Sequence, residues 1–431
     1  MEKFKWSFGA LSHSKEKEFI HRKMEMAHSV QRSPYFIASM TELISTCHEL
    51  MRTFARRNIL GTLGLDDESP AGFADERSKS AVSLRDIQRV FSFFDFFVDF
   101  LCEVLDTDSL RACDVERKAV LLSLAVVYYL RLDQPSRKEF EDNVGRLTNE
   151  SQYPEGLEDT LREAMDTLLR NTDIADGIAS TRGLRENLFV VLVCSLSRTP
   201  LMIVGPPGTS KVSRKSHRPK SMNLTPFCCH FQTLAMNAIA DNANGSDSTT
   251  KFYRKIPRLS LFHYQCSRQS TSKEIAAVFE QAAQRQERVD IEKHRCVVFM
   301  DEAGLPEEER ESLKVLHYLL EDHMSAKPKV GFVAISNHIL DAAKSNRCIT
   351  LLRQEPDVDE MTVIAMGVLF STPRRTESLS TRVFFGALLC LLRRSFQVSA
   401  EDTSTYSEKN ATDCRLILGS GCEISCFSLK L

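Results

Sequence analysis

The chain has no apolar run near the roughly eighteen residues that a membrane span needs, so no spanning helix is expected. Its first residues, MEKFKWSFGALSHSKEKEF, lack the apolar centre of a secretion signal. Net charge is almost absent, at −2, so no whole-chain field points to nucleic acid or a membrane surface. The 13 cysteines have no repeated spacing, and without a secretion signal they are expected to be reduced thiols. Cys228-Cys229-His230 and Cys422 with Cys426 come nearest to a metal cluster, but neither has a second ligand pair at usable spacing. These absences leave a cytoplasmic globular chain as the expectation. With 431 residues, 42% hydrophobic and 26% charged, it has room for two to three domains.

Four regions follow from the pattern. Residues 1–34 are charged and weakly periodic, at most one helix. Residues 35–170 read as an all-helical unit. Its helices include YFIASMTELISTCHELMRTFARRNIL, a long amphipathic run capped by Ser83, VERKAVLLSLAVVYYLRL and EGLEDTLREAMDTLLRN. Residues 175–350 change character: PLMIVG, LSLFHYQCS, CVVFMDE and VGFVAISN are short apolar strands separated by helices. Strands that are apolar throughout indicate a parallel sheet covered on both faces, hence an α/β fold. Residues 351–431 begin as a helix and then lose periodicity.

The chemistry gathers at the strand ends. Gly205-Pro206-Pro207-Gly208-Thr209-Ser210-Lys211 follows the first strand, where backbone N–H groups at a helix start can hold a phosphate and Lys211 can reach it. A Gly/Pro turn with a solvated lysine has the same local text. The strand ending in Asp301-Glu302 changes that balance, because a phosphate loop needs a carboxylate for the Mg²⁺ shell and another for the attacking water. Asn337 tips the next strand and can place water. Arg347, ten residues later, can offer a planar fork to phosphate on a neighbouring module.

Phosphate loop, Asp-Glu strand, Asn sensor and arginine finger in this order resemble the AAA+ ATPases. FMDEAGLPEEERESLKVLHYLLEDHMSAKPKVGFVAISNHILDAAKSNR and GLRENLFVVLVCSLSRTPLMIVGPPGTSK are similar to the ring-finger AAA+ family of giant ubiquitin ligases, the mysterins. The resemblance spans residues 80 to 365. It implies a P-loop AAA+ core binding ATP and Mg²⁺, neighbouring modules of the same parent chain as partners, and the ubiquitin system through the parent. Neither a nucleic-acid partner nor ligase residues are implied. It also implies that Ser83-Leu84-Arg85-Asp86 opens a lid helix, with Arg85 as the sensor of a preceding module. The chain then reads as the lid of one module joined to the core of the next. A non-hydrolysing scaffold module is the competing reading.

The loop itself departs from G-x-x-x-x-G-K-[ST], with Ser210 at the second glycine and Val212 at the hydroxyl position. Serine at the former position is already part of the mysterin-like pattern. Val212 offers no oxygen to Mg²⁺. Without residues 212–232 the text becomes GPPGTSK-TLAMNAIADNANG: Thr233 restores the hydroxyl, and a helix follows at once. That removal takes out 21 residues and brings Glu302 from 91 to 70 positions after Lys211. Lys-Val-Ser can be encoded AAG-GTA-AGT, a splice donor, and Phe-Gln can end in the acceptor CAG. Residues 212–232 are therefore expected to be an aberrant insertion, read from an intron. A genuine, inactivating insertion is the alternative.

Overall fold

The computed structural model describes residues 12–26, 33–63, 82–104, 112–149, 156–174, 178–205, 231–307, 311–320, 330–338, 340–353, 360, 363, 416–418 and 422–424. The loop residues 206–211 and almost all of 212–232 lie outside the described residues.

Among the described residues, six helices come first: α1 (His13–Met26), α2 (Pro34–Leu63), α3 (Leu84–Glu103), α4 (Ala112–Val127), α5 (Gln134–Asn149) and α6 (Leu157–Asn171). Ser83 caps α3 with a capping box, and the Asp86 carboxylate accepts from the Ser83 N–H at 3.0 Å. Its apolar face holds Phe93, Phe94 and Phe97, all buried. Helix α5 is not foreseen from the pattern. Its inward stripe is only Arg137, Phe140 and Val144, which is too few apolar residues to register as periodic.

The second half follows with α7 (Arg182–Ser197), β1 (Leu201–Val204), α8 (Phe231–Asn242), α9 (Lys251–Arg254), β2 (Arg258–Gln265), α10 (Ser272–Glu287) and β3 (His294–Asp301). Then come α11 (Val315–Leu319), β4 (Gly331–Ser336), α12 (Ala342–Ser345) and β5 (Ile349–Leu352). The first five strands form one parallel sheet in the order β2-β3-β4-β1-β5. Two further short strands, β6 (Leu416–Leu418) and β7 (Cys422–Ile424), pair antiparallel.

The period of two along each strand divides the core. Leu201, Ile203, Val297, Phe299, Val333 and Ile335 face α7, α8 and the helical unit. Met202, Val204, Val298, Met300, Phe332 and Ala334 face α10 and α11. The first of these clusters continues without a break from α1 to β5. Phe97 of α3 stacks on Phe189 of α7 with ring centroids 6.2 Å apart and 9° between planes. Phe100 meets Phe252 of α9 edge-on at 6.3 Å. Such aromatic pairs contribute about 0.5–1.5 kcal/mol each beyond their burial.

Two expectations are corrected. Residues 351 and 352 do not begin a helix: ITLL is strand β5, paired residue for residue with β1. Four residues are too short for periodicity to distinguish strand from helix, and the neighbouring strand decides. Strand β2 is not covered on both faces. It lies at the sheet edge, and of its residues only Leu259 is buried, with Arg258, His263 and Gln265 exposed.

Candidate functional site

All five strands of the large sheet run parallel, so their carboxyl ends share one edge, and the chain leaves β1 towards the β2 side of the sheet but leaves its neighbour β4 towards β5, which puts a switch point beside β1. Helix α7 ends with Arg198 in the left-handed conformation, φ 58, and the chain turns directly into β1. Gly205, the first residue after β1, donates its N–H to the Ser336 carbonyl at 3.0 Å. The residue that opens the expected phosphate loop is thereby fixed beside the end of β4. Pro206, Pro207, Gly208, Thr209, Ser210 and Lys211 lie outside the described residues. Thr233 is partly buried in the first turn of α8, which begins at Phe231, two residues earlier than expected.

Asp301 and Glu302 stand at the end of β3. The Asp301 carbonyl accepts from the Cys266 N–H at 2.9 Å, and the Ala303 N–H donates to the Ile335 carbonyl at 2.7 Å, so the acid pair is clamped between β2 and β4. Asp301 Oδ1 accepts from the Glu302 N–H at 2.9 Å. Burial, with the Glu302 charge beside it, pushes the Asp301 carboxyl above its ordinary range. Glu302 has φ 54, a left-handed conformation costly for a non-glycine residue, and its carboxylate accepts from Gln265 Nε2 at 3.0 Å.

Asn337 follows β4 and is partly buried. The loop is shaped by Ser336, whose hydroxyl donates to the His338 carbonyl at 2.5 Å and accepts from the His338 N–H at 3.3 Å. Gly304 packs into this turn: a Cβ there would lie 2.6 Å from Ser336 Oγ and 2.7 Å from the His338 ring. The Asp-Glu segment and the Asn337 tip are thus in direct contact. Sequence reading missed Gln265, Gly304 and Ser336. A Gly three positions after the Asp was the available signal, but its meaning depends on what lies across from it.

Arg347 sits in the turn between α12 and β5, its N–H donating to the Lys344 carbonyl at 3.1 Å. The helical unit reaches this turn: Arg85 Nη1 and Arg89 Nη2 both donate to the Asn346 carbonyl, at 3.4 and 2.8 Å. Two arginines assigned to different modules by sequence therefore meet at one place.

A second charged cluster ties the halves together. Glu186 of α7 is buried and receives Arg137 at 2.7 Å, Arg182 at 3.0 Å and Arg353, which follows β5. Burial alone would raise its pKa, but Arg353, Arg137 and Arg182 together hold it down to about 2. The Asn242 side chain brackets Asp173, accepting from its N–H and donating to its carbonyl, both at 2.9 Å.

A five-stranded parallel sheet in this order, with an acid pair at the end of β3 and a polar tip on β4 beside β1, defines an α/β core of the AAA+ class. Residues 177–220 and 228–360 match the family model described as the RNF213 AAA domain, and this part of the chain is an AAA module of the RNF213 family. The E3 ubiquitin-protein ligase RNF213 of Mus musculus is 30% identical over 385 residues, covering 85% of this chain and 7% of the mouse protein. RNF213 of Homo sapiens is 29% identical over 386 residues, covering 85% of this chain and 6% of the human protein. The chain therefore spans a small fraction of these relatives' length. The solved structure of C. elegans PCH-2 aligns with a TM-score of 0.28 and 16% identity, over 50% of this chain and 54% of that one, and carries no part of the fold assignment. The break between the two matched segments, 221–227, falls inside the stretch 212–232. Among the described residues, no helix is long and apolar enough to cross a membrane.

Proposed function

We propose that this chain is an ATP-binding and ATP-hydrolysing AAA+ module of a large, cytoplasmic E3 ubiquitin-protein ligase, using turnover to change contacts between neighbouring modules. The observation that carries the reading is the convergence of Gly205, Asp301, Glu302 and Asn337 on one sheet edge through the Gly205–Ser336 and Ala303–Ile335 backbone bonds. In it Gly205 to Lys211 wrap the phosphates. Asp301, with one carboxylate oxygen bonded to the Glu302 N–H and the other not used in that bond, fits a hard cation such as Mg²⁺, as does the Thr233 hydroxyl once 212–232 is absent. Bound there, Mg²⁺ would offset charge on the phosphates. Glu302 orients the attacking water, and Asn337 holds it against the terminal phosphate. Residues 35–170 serve as the lid of the preceding module, and Arg85 and Arg347 together face that module's nucleotide. The contact of Arg85 with the residue before Arg347 supports this reading. The ubiquitin system is reached only through the rest of the parent protein.

Val212 directly after Lys211 favours a second reading for the chain as written: a scaffold module that binds nucleotide weakly and does not turn it over. Measuring ATP binding and turnover with and without residues 212–232 separates the two. Tight binding only after deletion supports the ATPase reading, and a deleted form that binds no ATP overturns it. Genomic DNA lacking GT after the Lys211 codon, or AG before Thr233, would end the intron explanation of the insertion.

A further inference from the structure

The turn that carries Arg347 is held from two sides. From its own core, Ser345 Oγ donates to the Leu340 carbonyl at 2.8 Å, the Cys348 N–H donates to the Ser345 carbonyl at 3.0 Å, and the buried Cys348 leads into β5. From outside, Arg89 of α3 reaches across 257 residues of sequence to the Asn346 carbonyl at 2.8 Å. This is the shorter of the two bonds that carbonyl accepts from the helical unit.

Arg89 is itself fixed. Its Nη1 donates to Asp86 Oδ1 at 3.1 Å, and its side chain is only 11% exposed. Asp86 in turn is locked by the capping box at Ser83 and by Arg131 at 3.2 Å. One carboxylate oxygen thus serves two guanidiniums. An arginine can satisfy Asp86 and Asn346 at once because its fork has separate donors at a fixed angle; a lysine offers a single point charge. A charge-assisted bond to a backbone carbonyl is stronger than a neutral one and restricts where the next residue's Cα lies.

We propose that Arg89 is a positioning residue for Arg347. It sets the Asn346–Arg347 peptide from the helical unit, so the direction in which Arg347 projects is decided by α3 rather than by the Arg347 core alone. Arg85 begins one turn earlier on the same helix, so both arginines are indexed to one element. The proposal rests on the reading above that Arg347 acts on a neighbouring module's nucleotide. It adds that the helical unit and the following core present their two arginines as one preassembled surface.

The test is steady-state ATP turnover of the parent protein carrying Arg347→Ala, Arg89→Gln, or both. Arg89→Gln is expected to remove the same share of kcat as Arg347→Ala, with KM for ATP unchanged and no further loss in the double variant. A loss that adds to that of Arg347→Ala, or no loss, overturns the positioning role. If Arg347→Ala itself leaves turnover intact, the reading of Arg347 fails and the proposal falls with it. If Arg347→Ala lowers turnover and Arg89→Gln does not, only the positioning role fails. Should Arg89→Gln not fold, Arg89→Lys keeps the charge beside Asp86 but lacks the fork. It is expected to lose part of the same share, and full turnover with lysine counts against the proposal.

Discussion

Gln265 Nε2 donates to Glu302 Oε2 at 3.0 Å, across the β2–β3 register in which Gln265 lies beside Asp301. The acid read as the water-orienting group is therefore tethered sideways to the edge strand. A hydrogen bond to a carboxylate contributes about 1.5–3 kcal/mol, which at its lower end corresponds to roughly a tenfold effect. Gln265→Leu is expected to raise basal ATP turnover by that factor, with nucleotide affinity unchanged, in a parent protein in which Lys211 runs directly into Thr233. Slower turnover would show instead that Gln265 holds Glu302 in its working position.

Glu302→Gln keeps the side chain's shape and its place beside Gln265 but removes the base. Turnover should fall by about 10²–10⁴-fold while ATP binding persists. Equilibrium binding of a labelled nucleotide, set beside phosphate release, reads both quantities. Loss of binding would mean that Glu302 supports the loop structure rather than the chemistry.

Gly304→Ala would place a methyl 2.6 Å from Ser336 Oγ and 2.7 Å from the His338 ring, so the Asp-Glu segment and the Asn337 tip must move apart. Overpacking of this kind costs about 1–3 kcal/mol. A lowered unfolding midpoint together with a kcat loss larger than the change in KM is expected. An unaltered midpoint would show that the turn gives way freely.

Glu186 offers a pH test. Its folded pKa of about 2 lies below the ordinary 4.5, so its contribution to stability is complete above pH 4.5 and is lost as pH falls from there towards 2. Glu186→Gln leaves Arg137 and Arg353 buried without their carboxylate and should cost about 3–5 kcal/mol by urea unfolding at neutral pH. The variant should also lose part of the acid sensitivity between those pH values. An unchanged acid limb would place that sensitivity elsewhere.

Much of the core is legible in sequence because its elements obey local rules. Ser83 followed by Asp86 marks a helix start by capping chemistry alone. LMIV, CVVFM and GFVAIS read as buried strands because both of their faces are apolar. The acids after β3 and the amide after β4 follow from strand ends that carry polar residues. Among the elements that escaped, two did so for opposite reasons: α5 buries too little apolar surface to show a period, and β5 is too short to have one.

The residues themselves determined the parallel α/β character, the candidate acids Asp301 and Glu302, and the lack of a hydroxyl at Val212, since each follows from side-chain type and spacing along the chain. Tertiary structure alone decided that Gln265 meets Glu302, that Gly304 touches the Asn337 turn, and that Arg89 grips the residue before Arg347. Those contacts join positions 32 to 257 residues apart. No local pattern encodes them, because they arise only when the sheet register and the packing of α3 against α7 bring distant backbone and side-chain groups within hydrogen-bond reach.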